Sequence, residues 1–252
     1  MRRQHFIDRL DDRLRTDDYA DLDASANGLQ VGRAEGTVER VALAVDAAEA
    51  TIEETVERDA DVLLVHHGLA WGGFDRLTGL HYGRIEPLVT NDVALYVSHL
   101  PLDGHQELGN AAGLADVLGL EEREPFGEYG PEYVGTRGTA TEPSDADEVA
   151  TLLDRELDTE TQVLDFGTDE ITEVGIVTGS GVDYIQAAAD AGLDALVTGE
   201  GKQQAYHEAR DLGLNVFLAG HYATETFGVR RLGSLVEEWG LETTYIEHPT
   251  GL

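Results

Sequence analysis

The stretch from Leu218 to Gly228 reads LAGHYATETFG. If a helical turn opens at His221, Glu225 lies four residues on and shares its face. An imidazole and a carboxylate aimed the same way from a strand mouth are donors that a divalent transition metal accepts. A polar strand-to-helix turn has the same pattern, so other stretches must decide. His66-His67-Gly68 follows the apolar run Val62 to Val65. Neighbours on a strand point to opposite faces, but a bend at the strand end turns both imidazoles into a cleft. There they serve two adjacent ions, or they cap the following loop. His99 closes the run Val93 to Ser98, and Asp103 follows in His99-Leu100-Pro101-Leu102-Asp103. Pro101 disfavours a helix interior, which places Asp103 on a loop as either a ligand or a turn cap. His99 is open to three roles: a ligand, a hydrogen-bond partner of the ligands, or a substrate-binding group.

The elements that carry these residues read as α/β. Gln4 to Leu14 has helical spacing, and Asp17 to Asp23 reads as an acidic linker. Val38 to Asp46, Ala47 to Asp59 and Val62 to Val65 form a strand, helix and strand. Leu69 to Tyr82 is a Gly-rich loop, followed by a helix over Arg84 to Thr90. Glu121 to Pro131 reads as a connection, Tyr133 to Ala140 as a strand, and Pro143 to Leu157 as a helix with Pro at its start. The first half then repeats. Val41 to Asp61 aligns without a gap on Val174 to Asp194, and LYVSHLPLD aligns with VFLAGHYATE, bringing His99 onto His221 and Asp103 onto Glu225. The order of these matches predicts two similar α/β halves from duplication, 1–122 and 123–252. In such sheets, sites lie at the carboxyl ends of strands.

Other residues stay open between structure and chemistry. Trp71 either packs the core rim or walls the cleft. Glu200 and Lys202 are a polar strand end, or a cleft carboxylate beside a phosphate-binding ammonium. Gly179-Ser180-Gly181 is a tight turn, or an anion site at a helix start. His5, His81, His207 and His248 have no partner at ligand spacing and read as surface or packing residues. Walker, GxSxG, GxGxxG and HExxH patterns do not occur.

The 252 residues include no cysteine, which excludes disulfides and thiolate sites. No apolar run reaches membrane-spanning length, and MRRQHFIDRLDDRL is too charged for a secretory signal. A cytoplasmic location is therefore expected. Asp and Glu number 50 against 17 Lys and Arg, a formal charge of −33. Regular apolar runs argue for a folded chain with an acidic surface of halophilic kind. That surface disfavours nucleic acid, which needs cations on phosphates.

Taken together, VHHG, SHLPLDGH…GN and GHYATE, with NGLQVG from Asn27 and TGSG from Thr178, resemble the GTP cyclohydrolase I type 2-like family. These are dinuclear-metal proteins named for an NGG-interacting factor, and the resemblance spans Asn27 to Glu247. It implies two intertwined three-layer α/β halves, a toroidal homo-hexamer, and metal ligands at His66, His67, Asp103, His221 and Glu225. Two divalent ions (zinc, iron or manganese) are expected, with Glu225 or Asp103 bridging, Glu225 preferred. The five ligands are expected around one cleft, with Glu225 and His99 in the catalytic machinery. The function implied is a hydrolase acting on a nucleotide, by analogy GTP. The alternatives are a metal-holding ring without turnover and hydrolysis of another nucleotide or phosphoester. Lys202, Arg33, Arg84 and Arg230 are the cations available for phosphate. Leu100-Pro101 departs from the polar residues usual in relatives, which bears on substrate contact.

Overall fold

A computed structural model describes residues 1–252. In chain order it holds α1 (Arg3–Leu14), β1 (Gly28–Val31), β2 (Arg40–Asp46), α2 (Glu49–Glu57), β3 (Val62–His67), α3 (Leu80–Thr90), β4 (Ala94–Val97), α4 (Leu100–Asp103) and α5 (Asn110–Val117). There follow β5 (Leu120–Tyr129), β6 (Glu132–Ser144), α6 (Ala146–Leu157), β7 (Gln162–Leu164), β8 (Ile171–Ile176), α7 (Ile185–Asp190), β9 (Ala195–Thr198), α8 (Ala205–Leu212), β10 (Asn215–Leu218), α9 (His221–Thr224), α10 (Thr226–Glu238) and β11 (Glu242–Tyr245). The fold is α/β, as expected.

The chain forms two compact units from interleaved stretches. The first comprises Met1–Leu102 and Gly228–His248, the second Asp103–Phe227 and Pro249–Leu252. The halves 1–122 and 123–252 describe the proposed duplication rather than these units. In the first unit the sheet order is β1-β4-β3-β2-β11. Strands β2, β3 and β4 run parallel, and their interiors are apolar on both faces, as helix-covered parallel strands require. Ile52 of α2 and Leu88 of α3 pack with Ala42, Leu63, Val65 and Leu95. On the opposite face Tyr96 donates its hydroxyl to Asp11 of α1 (2.8 Å), and Leu43 lies against Gly233 of α10.

In the second unit the order is β5-β6-β8-β9-β10-β7. Leu114 of α5 and Leu153 of α6 pack with Val174, Ile176, Val197 and Phe217. α5 follows a strand of the first sheet yet lies in the core of the second. α10 follows β10 of the second and covers the first. This exchange of helices is what intertwines the halves.

The repeat is carried into hydrogen bonding. Val41 pairs with Val62 and Val174 with Ala195; Leu63 pairs with Leu95 and Leu196 with Val216. Asp61 Oδ2 accepts from the amides of Glu39 and Arg40 (2.8 and 2.9 Å). Asp194 Oδ2 accepts from those of Thr172 and Glu173 (2.9 and 2.8 Å). Each carboxylate locks the start of one strand to the start of the next.

Three local expectations are corrected. Glu121 to Pro131 is strand rather than connection: β5 is an exposed edge, where EERE meets solvent and Gly130, at φ 65°, turns the hairpin into β6. The helix expected from Pro143 begins at Ala146, because Asp145 is the cap, accepting from Glu148 N (2.9 Å) while Glu148 reaches back to Asp145 N (3.1 Å). Asp103 ends a helical turn, α4, rather than a loop, since Pro101 occupies the first turn, where its missing N–H is not needed.

Replacing Asp61 or Asp194 by Ala should cost about 1.5–3 kcal/mol each, the range for hydrogen bonds to a charged acceptor. Urea unfolding of both variants checks this, and two negligible losses would show that the carboxylates are ornamental.

Candidate metal centre

In the first unit, β3 delivers adjacent histidines. His66 is fully buried, and its Nδ1 lies 2.9 Å from the carbonyl of Ser98. A carbonyl only accepts, so Nδ1 carries the proton and Nε2 the lone pair. His67 Nδ1 donates to Asp46 Oδ1 (2.9 Å), at the end of the neighbouring strand. His99 Nδ1 faces Asp23 Oδ1 (2.9 Å) and Oδ2 (3.1 Å). Burial pushes the Asp23 carboxyl up, but hydrogen bonds from His99, Asn27 and Ser25 outweigh it and hold the group below its usual value. Asn27 Oδ1 also accepts from the His99 amide (2.7 Å). The three rings stand 4.6–5.6 Å apart, and one ligand nitrogen from each lies within 4.8 Å of the others. This cluster fits a metal by its donor chemistry.

In the second unit, β10 ends at Leu218; two residues on, Gly220, with a φ of 90°, admits a sharp exit, and α9 opens on His221. Glu225 caps that turn and is 3% exposed. The i,i+4 geometry expected for the pair is present: His221 Nε2 lies 3.3 Å from Glu225 Oε2. Its Nδ1 lies 3.3 Å from Glu200 Oε1, and Glu200 also accepts from Ser180 Oγ. Burial alone would depress His221, but Glu225 and then Glu200 outweigh it and raise the imidazole to about 9. A metal ion on Nε2 has to displace that proton. Asp103 Oδ1 accepts from Asn110 Nδ2 (2.9 Å) and Thr178 Oγ1 (3.2 Å). An oxygen of Asp103 and one of Glu225 lie within 4.8 Å. Glu225 thus stands next to both Asp103 and His221.

The Gly179-Ser180-Gly181 stretch is the tight turn. Its amides are engaged: Gly179 N donates to Thr224 Oγ1 (3.2 Å) and Gly181 N to Thr198 Oγ1 (2.9 Å). Gly179 has φ 60°, and a Cβ there would strike Glu225 Oε1 and lie 3.0 Å from His221 Nε2. Lys202 bonds Asp183 Oδ2 at 2.5 Å, so its ammonium is not held out for a phosphate. His81 packs edge-on to Phe74, and His207 against Tyr206. Sequence reasoning missed Asp23, Asp46, Ser98, Asn110 and Thr178, which hold the donors in place. Ser98, Asn110 and Thr178 had a signal, as parts of the SHLPLDGH, GN and TGSG motifs.

Gly179→Ala should displace the Glu225 carboxylate. The His221 titration midpoint in metal-free protein, followed by NMR, should then fall from about 9 toward the ordinary value of 6.5. A midpoint that stays put would mean Glu225 tolerates the methyl group.

Comparison with known proteins agrees with these motifs. The model for Duf34/NIF3 (NGG1p interacting factor 3) matches residues 1–250. A protein of Halobacterium salinarum called "GTP cyclohydrolase 1 type 2 homolog" is 56% identical over 97% of each chain. One of the same name from Pyrococcus abyssi is 42% identical over the whole of both. The crystal structure of TTHA1606 from Thermus thermophilus superposes with a TM-score of 0.91 at 40% identity, covering both chains fully. The chain belongs to the Duf34/NIF3 family.

Proposed function

We propose that the protein is a dinuclear metal-dependent hydrolase. His66, His67, Asp103, His221 and Glu225 are the residues that would hold two divalent ions (zinc, iron or manganese), with Glu225 the carboxylate preferred as the shared ligand. The observation that supports this most is the treatment of the imidazoles. In His66, His67, His99 and His221, Nδ1 faces an oxygen, from Ser98, Asp46, Asp23 and Glu200 respectively. Metal-binding histidines are oriented in this way, with Nε2 as the donor. When bound, two divalent ions supply a Lewis acid and a water acidic enough to lose its proton near neutral pH. Glu225, buried beside Asp103 and His221, is the carboxylate that would take the shared position. His99, with Nδ1 fixed by Asp23, presents Nε2 to substrate.

The names of the relatives from Halobacterium salinarum and Pyrococcus abyssi point to a nucleotide, GTP first. The supply of cations argues for a less charged substrate or for a metal-holding ring without turnover. Lys202 is bonded to Asp183, and Arg230 stacks 4.4 Å over Tyr245. The acidic surface suits a salt-rich cytoplasm, and no helix is long and apolar enough to cross a membrane. The assembly inferred from the family is a homo-hexamer.

Metal analysis should find two equivalents in the wild type. Glu225→Gln should lose metal from both positions, while His207→Gln should keep both; a Glu225→Gln protein retaining two equivalents would sink the bridge. A turnover screen over GTP, other nucleotides and phosphodiesters, with a chelator control, tests the hydrolase. Chelator-insensitive turnover, or none on any substrate, turns the reading toward the scaffold. Light scattering in molar salt should give a hexamer mass, and a monomer would remove that assignment.

A further inference from the structure

Tryptophan buries the largest apolar surface of any side chain, so an uncovered indole beside polar groups needs a reason. The two tryptophans differ in this respect. Trp239 is covered by Arg9, 3.9 Å from the ring centroid, and by the edge of Phe6. Trp71 is 45% exposed. Its ring neighbours are His99, with centroids 4.9 Å apart and planes at 77°, and His67 at 6.0 Å.

The exposed ring stands on a rigid stem. Gly72 N donates to Ala24 O (2.7 Å), and Ala26 N to Ala70 O (3.1 Å). Gln30 Oε1 accepts from the amides of Leu69 (2.6 Å) and Ala70 (2.9 Å). Gly68 leaves room for that Gln30 side chain, since a Cβ there would lie 2.6 Å from Gln30 Nε2. The indole Nε1–H donates to Gly68 O (3.1 Å), which fixes the rotation of the ring. An exposed aromatic surface is thus pre-ordered beside the imidazole cluster.

We infer that Trp71 is a stacking platform for a planar heteroaromatic ring of the substrate, positioned next to His99. The inference takes its location from the hydrolase reading and specifies the substrate class. Stacking also fits this chain's chemistry: it needs no cation, and salt does not screen it as it screens phosphate contacts.

The test uses the full chain with Trp239→Phe, leaving Trp71 as the sole tryptophan. Guanosine and adenosine should quench its emission saturably, and ribose 5-phosphate should not. Trp71→Ala should weaken nucleoside binding by about tenfold or more in calorimetry, with metal content unchanged, and Trp71→Phe should restore most of it. Equal affinity in Trp71→Ala, or equal quenching by ribose 5-phosphate, overturns the inference. So does a lower assembly mass for Trp71→Ala with affinity retained, which would assign the ring to a subunit contact. Nucleoside quenching in a protein that binds no metal would remove the hydrolase reading and leave the platform standing.

Discussion

The site depends on one constraint: a polar ring taken out of water must have its nitrogens answered. His66 lies wholly inside, and the Ser98 carbonyl answers its Nδ1. That carbonyl belongs to the end of the next parallel strand. The register of β3 on β4 therefore determines which tautomer His66 adopts. Asp46, closing β2, does the same for His67 from the other side. Three neighbouring strands must be in register for two adjacent imidazoles to present the same kind of atom. The apolar packing beneath them is thus part of the site's chemistry.

The second unit reaches a comparable result by other means. Its strand end has no second histidine, and Glu200 stands near the position that His67 holds in the first repeat. There the carboxylate orients His221 from outside. The Gly179 turn bends over Glu225 closely enough that no side chain fits, and threonines from β9 and α9 hold the turn in place. Duplication supplied the frame of both units. Divergence at the strand mouths gave one unit mainly imidazoles and the other mainly carboxylates.

Much of this was legible in the sequence, because apolar runs announce buried strands and the ligand-type residues sit directly at their ends. The gapless match of Val41–Asp61 to Val174–Asp194 reappears as identical pairing register. The supporting acids were not legible. Asp23 fell in a stretch read as an acidic linker, and in a chain with 50 acidic residues one more carries no signal. Its pairing with His99 spans most of the unit and follows no period. The edge strand β5 was hidden for a related reason: where both faces of an edge strand meet solvent, as over Glu121–Pro125, it can carry EERE and show no apolar run.

The exchange of terminal elements also bears on how the chain is made. β11 completes the first sheet by pairing residues 242–245 with 40–43. A ribosome delivers those partners far apart in time. The first unit can collapse early around β2, β3 and β4, but its outer strand and α10 arrive only after the second unit has emerged. Contacts of such long sequence separation form slowly. Until they form, the nascent chain carries an open sheet edge and an uncovered apolar face, which makes the interval before release its period of greatest exposure to aggregation.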